Sequence, residues 1–215
     1  MQQLLDGIVR FRREDFESHK ELFKELKEQQ RPHTLFIACS DSRVDPNLIT
    51  GTLPGELFII RNIANIVPPY RESGEYAGTT SAIEYAVKVL EVENIIVCGH
   101  SNCGGCAASL HSSDMLNELP HTHKWLELIN PVRDTVLREM DSMEPEAWEW
   151  MMEQGNVVEQ LKHLLTYPYI KEKIMSGELA LSGWHYIIET GEVFIYDKDT
   201  GEFHLANEIR KNRKG

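Results

Sequence analysis

The sequence predicts an α/β fold, a mainly parallel β-sheet flanked by helices, with an N-terminal helical arm and a C-terminal β-hairpin. Several short, uninterrupted apolar runs have the length of strands buried on both faces. A segment with helical spacing of its apolar residues lies between two of these runs. This strand–helix–strand order implies parallel strands joined by right-handed crossovers. The 215 residues suit a single domain, residues 1–215.

The arm covers residues 1–30, where apolar side chains recur among charged ones without a proline, as in amphipathic helices. Pro32 ends it. The residues alone leave two positions open for its apolar surface, which can pack on its own domain or on a neighbouring subunit.

Three buried strands are expected after the arm, followed by a mostly helical segment and then a hairpin. The strands are predicted at residues 34–39, 57–60 and 94–99, with a helix at about 78–90 between the last two. Residues 119–173 are expected to be helical and divided by prolines at 131, 145 and 168. Residues 179–188 and 193–196, joined by a turn at 189–192, form the predicted hairpin.

Composition excludes several classes of protein. The formal net charge of −12 argues against a nucleic-acid partner, because such binding depends on clustered Lys and Arg. No apolar run reaches the ~18 residues that a membrane helix needs. The N-terminal residues lack the charged and apolar regions of a secretory signal, which favours a cytoplasmic location.

Three of the four cysteines lie between positions 98 and 106, a clustering that indicates metal binding or redox chemistry.

Two of the predicted strands end in residues that can bind a metal. Cys39 ends the first strand, and His100 and Cys103 follow the third. Ligands collect at the carboxyl ends of parallel strands, so the two loops are expected to meet there. Two thiolates and one imidazole suit zinc, and three protein ligands leave the fourth position open, as in catalytic sites.

The same segment allows other interpretations. Cys103 and Cys106 form a Cys-x-x-Cys pattern after a strand, which is also typical of a redox dithiol. Such dithiols require neither the His three residues earlier nor the distant Cys-x-Asp-x-Arg, so we interpret Cys106 as a packing residue. Cys98 is expected to be a buried small hydrophobic residue.

Asp41 and Arg43 lie two and four residues after Cys39. A carboxylate at this spacing can bind the metal directly or lie beside its ligands, and Arg43 can hold it in a forked ion pair. A surface salt bridge is the alternative interpretation of this pair.

Taken together, these segments resemble the β-class carbonic anhydrases. The similarity is strongest in residues 39–43 (Cys-Ser-Asp-Ser-Arg) and 100–105 (His-Ser-Asn-Cys-Gly-Gly). It includes residues 54–58, 61–65 and 76–87 between them, and continues more weakly at 164–168 and 181–184.

The resemblance implies a Rossmann-like fold, one Zn²⁺ per subunit and a homodimer or higher even-numbered homo-oligomer in which the arm packs on a partner subunit. It implies reversible hydration of carbon dioxide to bicarbonate by zinc-bound hydroxide. It implies that Cys39, His100 and Cys103 bind zinc and that Asp41 and Arg43 form the catalytic pair. The substrate-binding residues that it implies are Gln30, Phe58, Ile63 and Tyr85.

The residues also resemble one subtype of the family. Relatives with an allosteric bicarbonate site have Trp and Gly three residues and one residue before the first cysteine, where this chain has Phe36 and Ala38. Gln30 and Tyr85 match the plant-like subtype. We therefore expect an open metal site with Asp41 turned toward Arg43.

Three alternative functions remain open on the sequence. Relatives with the same fold hydrolyse carbonyl sulfide or carbon disulfide. A Cys-x-x-Cys thiol–disulfide oxidoreductase and a non-catalytic zinc scaffold are the other two.

Overall fold

The computed structural model describes residues 1–72, 77–110, 114–140 and 144–212; Tyr76, in one of the segments quoted above, lies outside them. The strands are β1 (Thr34–Cys39), β2 (Leu57–Asn62), β3 (Asn94–His100), β4 (Ala180–Tyr186), β5 (Val193–Asp197) and β6 (Glu202–Leu205). They form one sheet in the order β2-β1-β3-β4-β5-β6. The pairings among β1, β2, β3 and β4 are parallel, and the β4–β5 and β5–β6 pairings are antiparallel. The predicted mainly parallel sheet is confirmed.

Helices precede, connect and follow these strands. They are α1 (Gln2–Arg13), α2 (Asp15–Ser18), α3 (Lys20–Leu26), α4 (Pro46–Thr50), α5 (Ala77–Lys88), α6 (Gly104–Leu110), α7 (Asp114–Asn117), α8 (Pro120–Leu126), α9 (Asn130–Glu139), α10 (Pro145–Leu164), α11 (Pro168–Met175) and α12 (Ala206–Asn212). Short 3-10 turns cover Ile63–Asn65 and Glu127–Ile129. The helices from α8 to α11 each have a proline in the first turn, where its missing N–H costs no intrahelical bond.

The strand predictions agree with the structure, with one addition. Every residue of β1 is buried, as its continuous apolar run predicted. The C-terminal hairpin is present but continues into β6, a strand that was not predicted from the sequence. A turn with Gly201 at φ 77° precedes β6, and Gly readily adopts this left-handed conformation.

Helix α10 lies unusually close to the backbone of the sheet. A Cβ atom added at Gly99 in β3 or at Gly183 in β4 would come within 2.7 or 2.8 Å of a methyl group of Val157. The two glycines therefore make room for the helix, since any side chain there would collide with it. This close contact brings the side chains of α10 to the carboxyl ends of β3 and β4.

The chain order around β1 defines where a ligand site can form. From β1 the chain moves to β2 on one side, and then crosses to β3 on the other side of β1. Such a change of direction opens a crevice at the carboxyl ends of the two diverging strands. Cys39 ends β1 and His100 ends β3, so both lie at this switch point.

The N-terminal arm is helical, as predicted, and carries apolar side chains on its surface. No residue of α1, α2 or α3 is buried, and Ile8 is 63% exposed. Leu26 in α3 contacts the body of the domain next to Gly55. Among the described helices, none combines the length and the apolar composition required to cross a lipid bilayer.

Candidate metal centre

The structure brings the three predicted metal ligands together. The sulfur atoms of Cys39 and Cys103 and a ring nitrogen of His100 all lie within 4.8 Å of one another. All three residues are buried. The loop that carries Cys103 is attached to the sheet, because the Ser101 N–H donates to the Tyr186 carbonyl at 2.9 Å and the Ser101 hydroxyl accepts from the Ile188 N–H at 3.0 Å.

The orientation of His100 fits a metal ligand. Its Nδ1 donates to the Ser101 carbonyl at 2.9 Å, which leaves the lone pair on Nε2. Nε2 is buried and has no hydrogen-bond partner within the described part of the chain. A buried nitrogen without a partner is costly unless a cation or another group binds it. The donor set of two sulfurs and one nitrogen matches that of catalytic zinc sites.

The two cysteine thiols hold their protons strongly when no cation is present. The Cys103 thiol and burial raise the pKa of Cys39 to about 12. The pKa of Cys103 is also raised, by Cys106 and by burial. Burial alone would lower the pKa of His100, but the adjacent Cys39 sulfur raises it above its ordinary value. A divalent cation relieves this crowding by binding the thiolates and displacing their protons.

Asp41 and Arg43 form a forked ion pair beside the cluster. Nε and Nη2 of Arg43 donate to the two carboxylate oxygens of Asp41 at 2.9 and 2.7 Å, and the Arg43 backbone N–H also donates to the carboxylate at 2.9 Å. Arg43 Nη2 reaches the Asn102 carbonyl at 3.1 Å, so the pair is connected to the loop of Cys103. These bonds from Arg43 hold the pKa of Asp41 well below its usual range.

Ile63 lies at the same end of the strands as the cluster. It follows Asn62, which is the partner of Cys39 in the register of β1 and β2. A cavity of about 450 Å³ opens there and is lined by Ile63, Ser40, His121 and Trp125 among others. The Trp125 indole N–H donates to the Ile63 carbonyl at 2.8 Å and so fixes this wall. A larger groove of about 720 Å³ between α9, α10 and the β5–β6 hairpin includes none of the predicted site residues.

The other three predicted substrate-binding residues lie at the opposite end of the strands in the same chain. Phe58 is paired with Leu35, four residues before Cys39, which is about 13 Å along a strand. Tyr85 packs against Phe58 with their ring centres 6.0 Å apart. Gln30 precedes β1 and is exposed. The structure therefore does not bring these three residues to the metal cluster of their own subunit.

A set of polar residues on α10 was not predicted from the sequence. They share one face of the helix at spacings of three and four residues and are buried: Glu153, Asn156, Gln160 and His163. Asn156 donates to the Ala64 carbonyl at 2.9 Å, and Gln160 accepts from the Val67 N–H at 2.8 Å. Their regular spacing among apolar residues is the signal that could have identified them.

The remaining cysteines are positioned as predicted for packing residues. Cys98 is fully buried against the sheet face that carries Phe36. Cys106 is buried in α6, and the Asn156 amide donates to its sulfur at 3.7 Å. All four cysteines are free thiols.

Comparisons with known proteins agree with this geometry. Residues 34–193 match the sequence profile of the carbonic anhydrase family. A carbonic anhydrase from Synechocystis sp. is 45% identical over 212 residues, covering 99% of this chain and 76% of the relative. One from Helicobacter pylori is 40% identical over 210 residues, covering 96% and 95%.

Solved structures give the same result for the fold. The β-carbonic anhydrase CcaA superposes with a TM-score of 0.91 at 43% identity, covering 95% of this chain and 98% of that one. A chain from the tetrameric β-carbonic anhydrases of Sordaria macrospora superposes with a TM-score of 0.78 at 32% identity. The match covers 89% of this chain and 94% of that one. With its ligand cluster, its sheet and these similarities in agreement, the chain belongs to the β-carbonic anhydrase family.

Proposed function

We propose that this protein catalyses the reversible hydration of carbon dioxide to bicarbonate and a proton, with one zinc ion per subunit held by Cys39, His100 and Cys103. The observation that carries the proposal is the buried Cys₂His cluster in a member of this family, with a forked Asp–Arg pair directly beside it. When bound, zinc activates water as a nucleophile near neutral pH.

The protein's own residues orient the reactants. The Asp41 carboxylate is a hydrogen-bond acceptor at the edge of the cluster, and it can fix the direction of the attacking oxygen by accepting its hydrogen. Arg43 holds that carboxylate through two parallel bonds and keeps it deprotonated. Because both groups are fixed before substrate arrives, little reorganisation is needed during the reaction.

We assign the substrate pocket to two subunits. Ile63 lines a cavity at the same end of the strands as the metal cluster of its own subunit. Gln30, Phe58 and Tyr85 lie at the opposite end of those strands. Tyr85 is 45% exposed although it is aromatic, as expected for a side chain that a second copy covers. In this proposal, the carbon dioxide pocket is completed by those three residues of the neighbouring subunit.

The N-terminal arm supports an even-numbered homo-oligomer. The apolar side chains of α1 are exposed in the single chain, and burying them on a second copy removes that surface from water. The related proteins from Sordaria macrospora are tetrameric. We propose a homodimer or a multiple of it, located in the cytoplasm, where four free thiols are compatible with a reducing compartment.

The position of Asp41 favours the open, plant-like subtype. Its two oxygens accept from Arg43, and the cluster of possible metal ligands consists of Cys39, His100 and Cys103 without Asp41. In this proposal Asp41 does not bind zinc, and the fourth metal position is free for solvent.

The test combines metal analysis with kinetics on purified full-length protein. We expect one zinc per chain, stopped-flow hydration of carbon dioxide, and loss of both metal and activity in Cys103→Ser. Carbonyl sulfide and carbon disulfide are assayed with the same preparation. Zinc-loaded protein that hydrolyses either of these but does not hydrate carbon dioxide would contradict the proposed substrate.

A further inference from the structure

Glu153 is a buried acid close to the metal cluster with no role in the chemistry described above. It lies in α10 and is 2% exposed. Burying a carboxylate is costly unless both oxygens find donors. Oε1 accepts from the Cys103 backbone N–H at 2.9 Å, and Oε2 contacts His185 Nε2 at 3.0 Å. Both carboxyl oxygens of Glu153 therefore have a hydrogen-bond partner, and one of these partners is a proposed metal ligand.

The bond to Cys103 acts on the loop that carries the ligand. The preceding Asn102 has a left-handed backbone with φ 55°, and α6 begins at the next residue, Gly104. Without Glu153 the N–H of Cys103 would be buried without an acceptor, in a turn of only a few residues. Because this N–H is attached to the same Cα as the thiol side chain, the bond also fixes the direction of the Cys103 sulfur.

His185 in turn fixes Glu153. It is completely buried in β4 opposite Gly99, the residue before His100. Its Nδ1 has no partner within the described ranges, and its ring packs edge-on against Trp150. Since a carboxylate oxygen can only accept, we assign the proton of this contact to Nε2. The contact therefore uses the one donor that His185 offers to the carboxylate.

We propose that Glu153 and His185 form a buried positioning pair that sets the direction of Cys103 and thereby controls how tightly the centre holds its metal. The inference rests on the proposed metal site and adds two residues that do not touch metal or substrate. Partners of this kind behind metal ligands typically change metal affinity or activity by about 10–100-fold.

The choice of variants follows from the surroundings. A cavity of about 220 Å³ borders Cys103 and Glu153, so truncation to alanine would admit water that can replace the lost acceptor. Glu153→Gln avoids this because it keeps the size and one oxygen. Its amide N–H would face Nε2, so His185 could no longer donate there and would have to carry its proton on Nδ1, which has no partner among the described residues. Glu149→Gln is the matched control, since Glu149 lines the same cavity one turn earlier but is exposed.

A pair of substitutions at position 185 separates hydrogen bonding from packing. Gln and Met are similar in size and shape, but only Gln can donate to Glu153 from about the position of Nε2. If His185 positions Glu153, then His185→Gln should behave like the unmodified protein and His185→Met should not. If His185 only fills space, the two variants should behave alike.

The experiment measures zinc release to a chelator and the visible absorption of the cobalt(II)-substituted protein. We expect release about tenfold faster or more in Glu153→Gln and His185→Met, with a shifted cobalt spectrum, and no change in Glu149→Gln or His185→Gln. Unchanged release and spectra in the folded Glu153→Gln variant would overturn the proposal. If that variant does not fold, the comparison of Gln with Met at position 185 decides.

These measurements are independent of the proposed reaction. Metal release and cobalt absorption need no carbon dioxide, so a failure of the hydration assay in the unmodified protein would contradict the proposed function alone. Hydrogen exchange of the Cys103 amide in the metal-free protein extends the test. It should be faster in His185→Met than in His185→Gln, and equal rates would contradict the pair.

Discussion

At the scale of single residues, the candidate site depends on how a few side chains divide their hydrogen bonds. Asp41 uses both oxygens on Arg43, and His100 uses Nδ1 on the Ser101 carbonyl. The bond from His100 leaves the lone pair of its Nε2 free to bind a metal. The bonds from Arg43 fix the direction of the Asp41 carboxylate, whose oxygens can still accept one further hydrogen. The site is therefore oriented before any ligand enters it.

Asp41→Asn tests the orienting role of this carboxylate. An amide cannot accept both bonds of the Arg43 fork, so we expect kcat/KM for carbon dioxide hydration to fall about a hundredfold. Zinc content should remain at one per chain, because Asp41 is not a ligand in the proposed site. Loss of the metal in this variant would contradict the open subtype, and unchanged hydration activity would contradict the orienting role of Asp41.

Cys106→Ser distinguishes a hydratase from a dithiol oxidoreductase. Serine is smaller, and its hydroxyl can accept from the Asn156 amide that now contacts the sulfur. We expect zinc content and hydration within about twofold of the unmodified protein, since Cys106 is not one of the three proposed zinc ligands. A disulfide reductase activity that is present in the unmodified protein and lost in this variant would support the alternative function.

At the scale of elements, α10 connects the sheet, the metal loop and the segment after β2. Ala64 and Asn65 have left-handed backbones although they are not glycines, with φ 58° and 48°. Such conformations persist only when the surroundings hold them, and Asn156 and Gln160 of α10 bind this segment. The buried polar face of α10 therefore stabilises the wall of the site at Ile63.

His163 at the end of this polar face gives a pH dependence of stability. Burial lowers its pKa below 6.5, although the bond from Nδ1 to the Val67 carbonyl opposes the shift. The unfolded chain then binds the proton more readily, so stability is lost as the pH falls below about 6.5 toward the lower pKa of the folded state. Glu159 and Lys162 are the charged groups that face the ring.

His163→Gln should remove this contribution, because glutamine does not titrate. Urea unfolding between pH 7 and pH 5 should show a smaller loss of unfolding free energy in the variant. The difference is limited to about 1.4 kcal/mol per pH unit for one proton. If the two proteins lose stability in parallel over this range, His163 does not cause the dependence.

At the scale of the whole molecule, two features of the single chain support the proposed oligomer. Its arm presents apolar residues to solvent, and three of its predicted substrate-binding residues lie far from its own cluster. In the proposed symmetric pair, each copy would cover the other's arm and complete the other's pocket.

Complementation between two inactive variants tests the shared pocket. Tyr85→Ala should lower hydration about tenfold or more while zinc is retained, and Cys103→Ser should lose zinc. Co-expressed and purified as a mixed dimer, the zinc-bearing subunit would receive an intact Tyr85 from its partner, so part of the activity should return. A mixed dimer no more active than the average of its parents would place Tyr85 in its own subunit's site.

Much of the fold and the chemistry could be predicted from the sequence, for identifiable reasons. Strands such as β1 are recognised by an apolar run of fixed length, and the prolines mark where α9, α10 and α11 begin. Strand β6 was missed because its four residues carry only a short alternating pattern after a turn. Glu153 was missed because a charged residue in a helix is ordinarily exposed, and only its spacing with Asn156, Gln160 and His163 marks a buried polar face.

The sequence by itself determined the ligand types, their order along the chain and the family, because these depend on residue identity and local spacing. Only the tertiary structure decided which other groups meet these ligands and which do not. It joined Glu153 and His185 to Cys103 through α10, and it placed Phe58 and Tyr85 at the far end of the strands. Contacts between distant parts of the chain follow from sheet order, register and close packing, which no local pattern encodes.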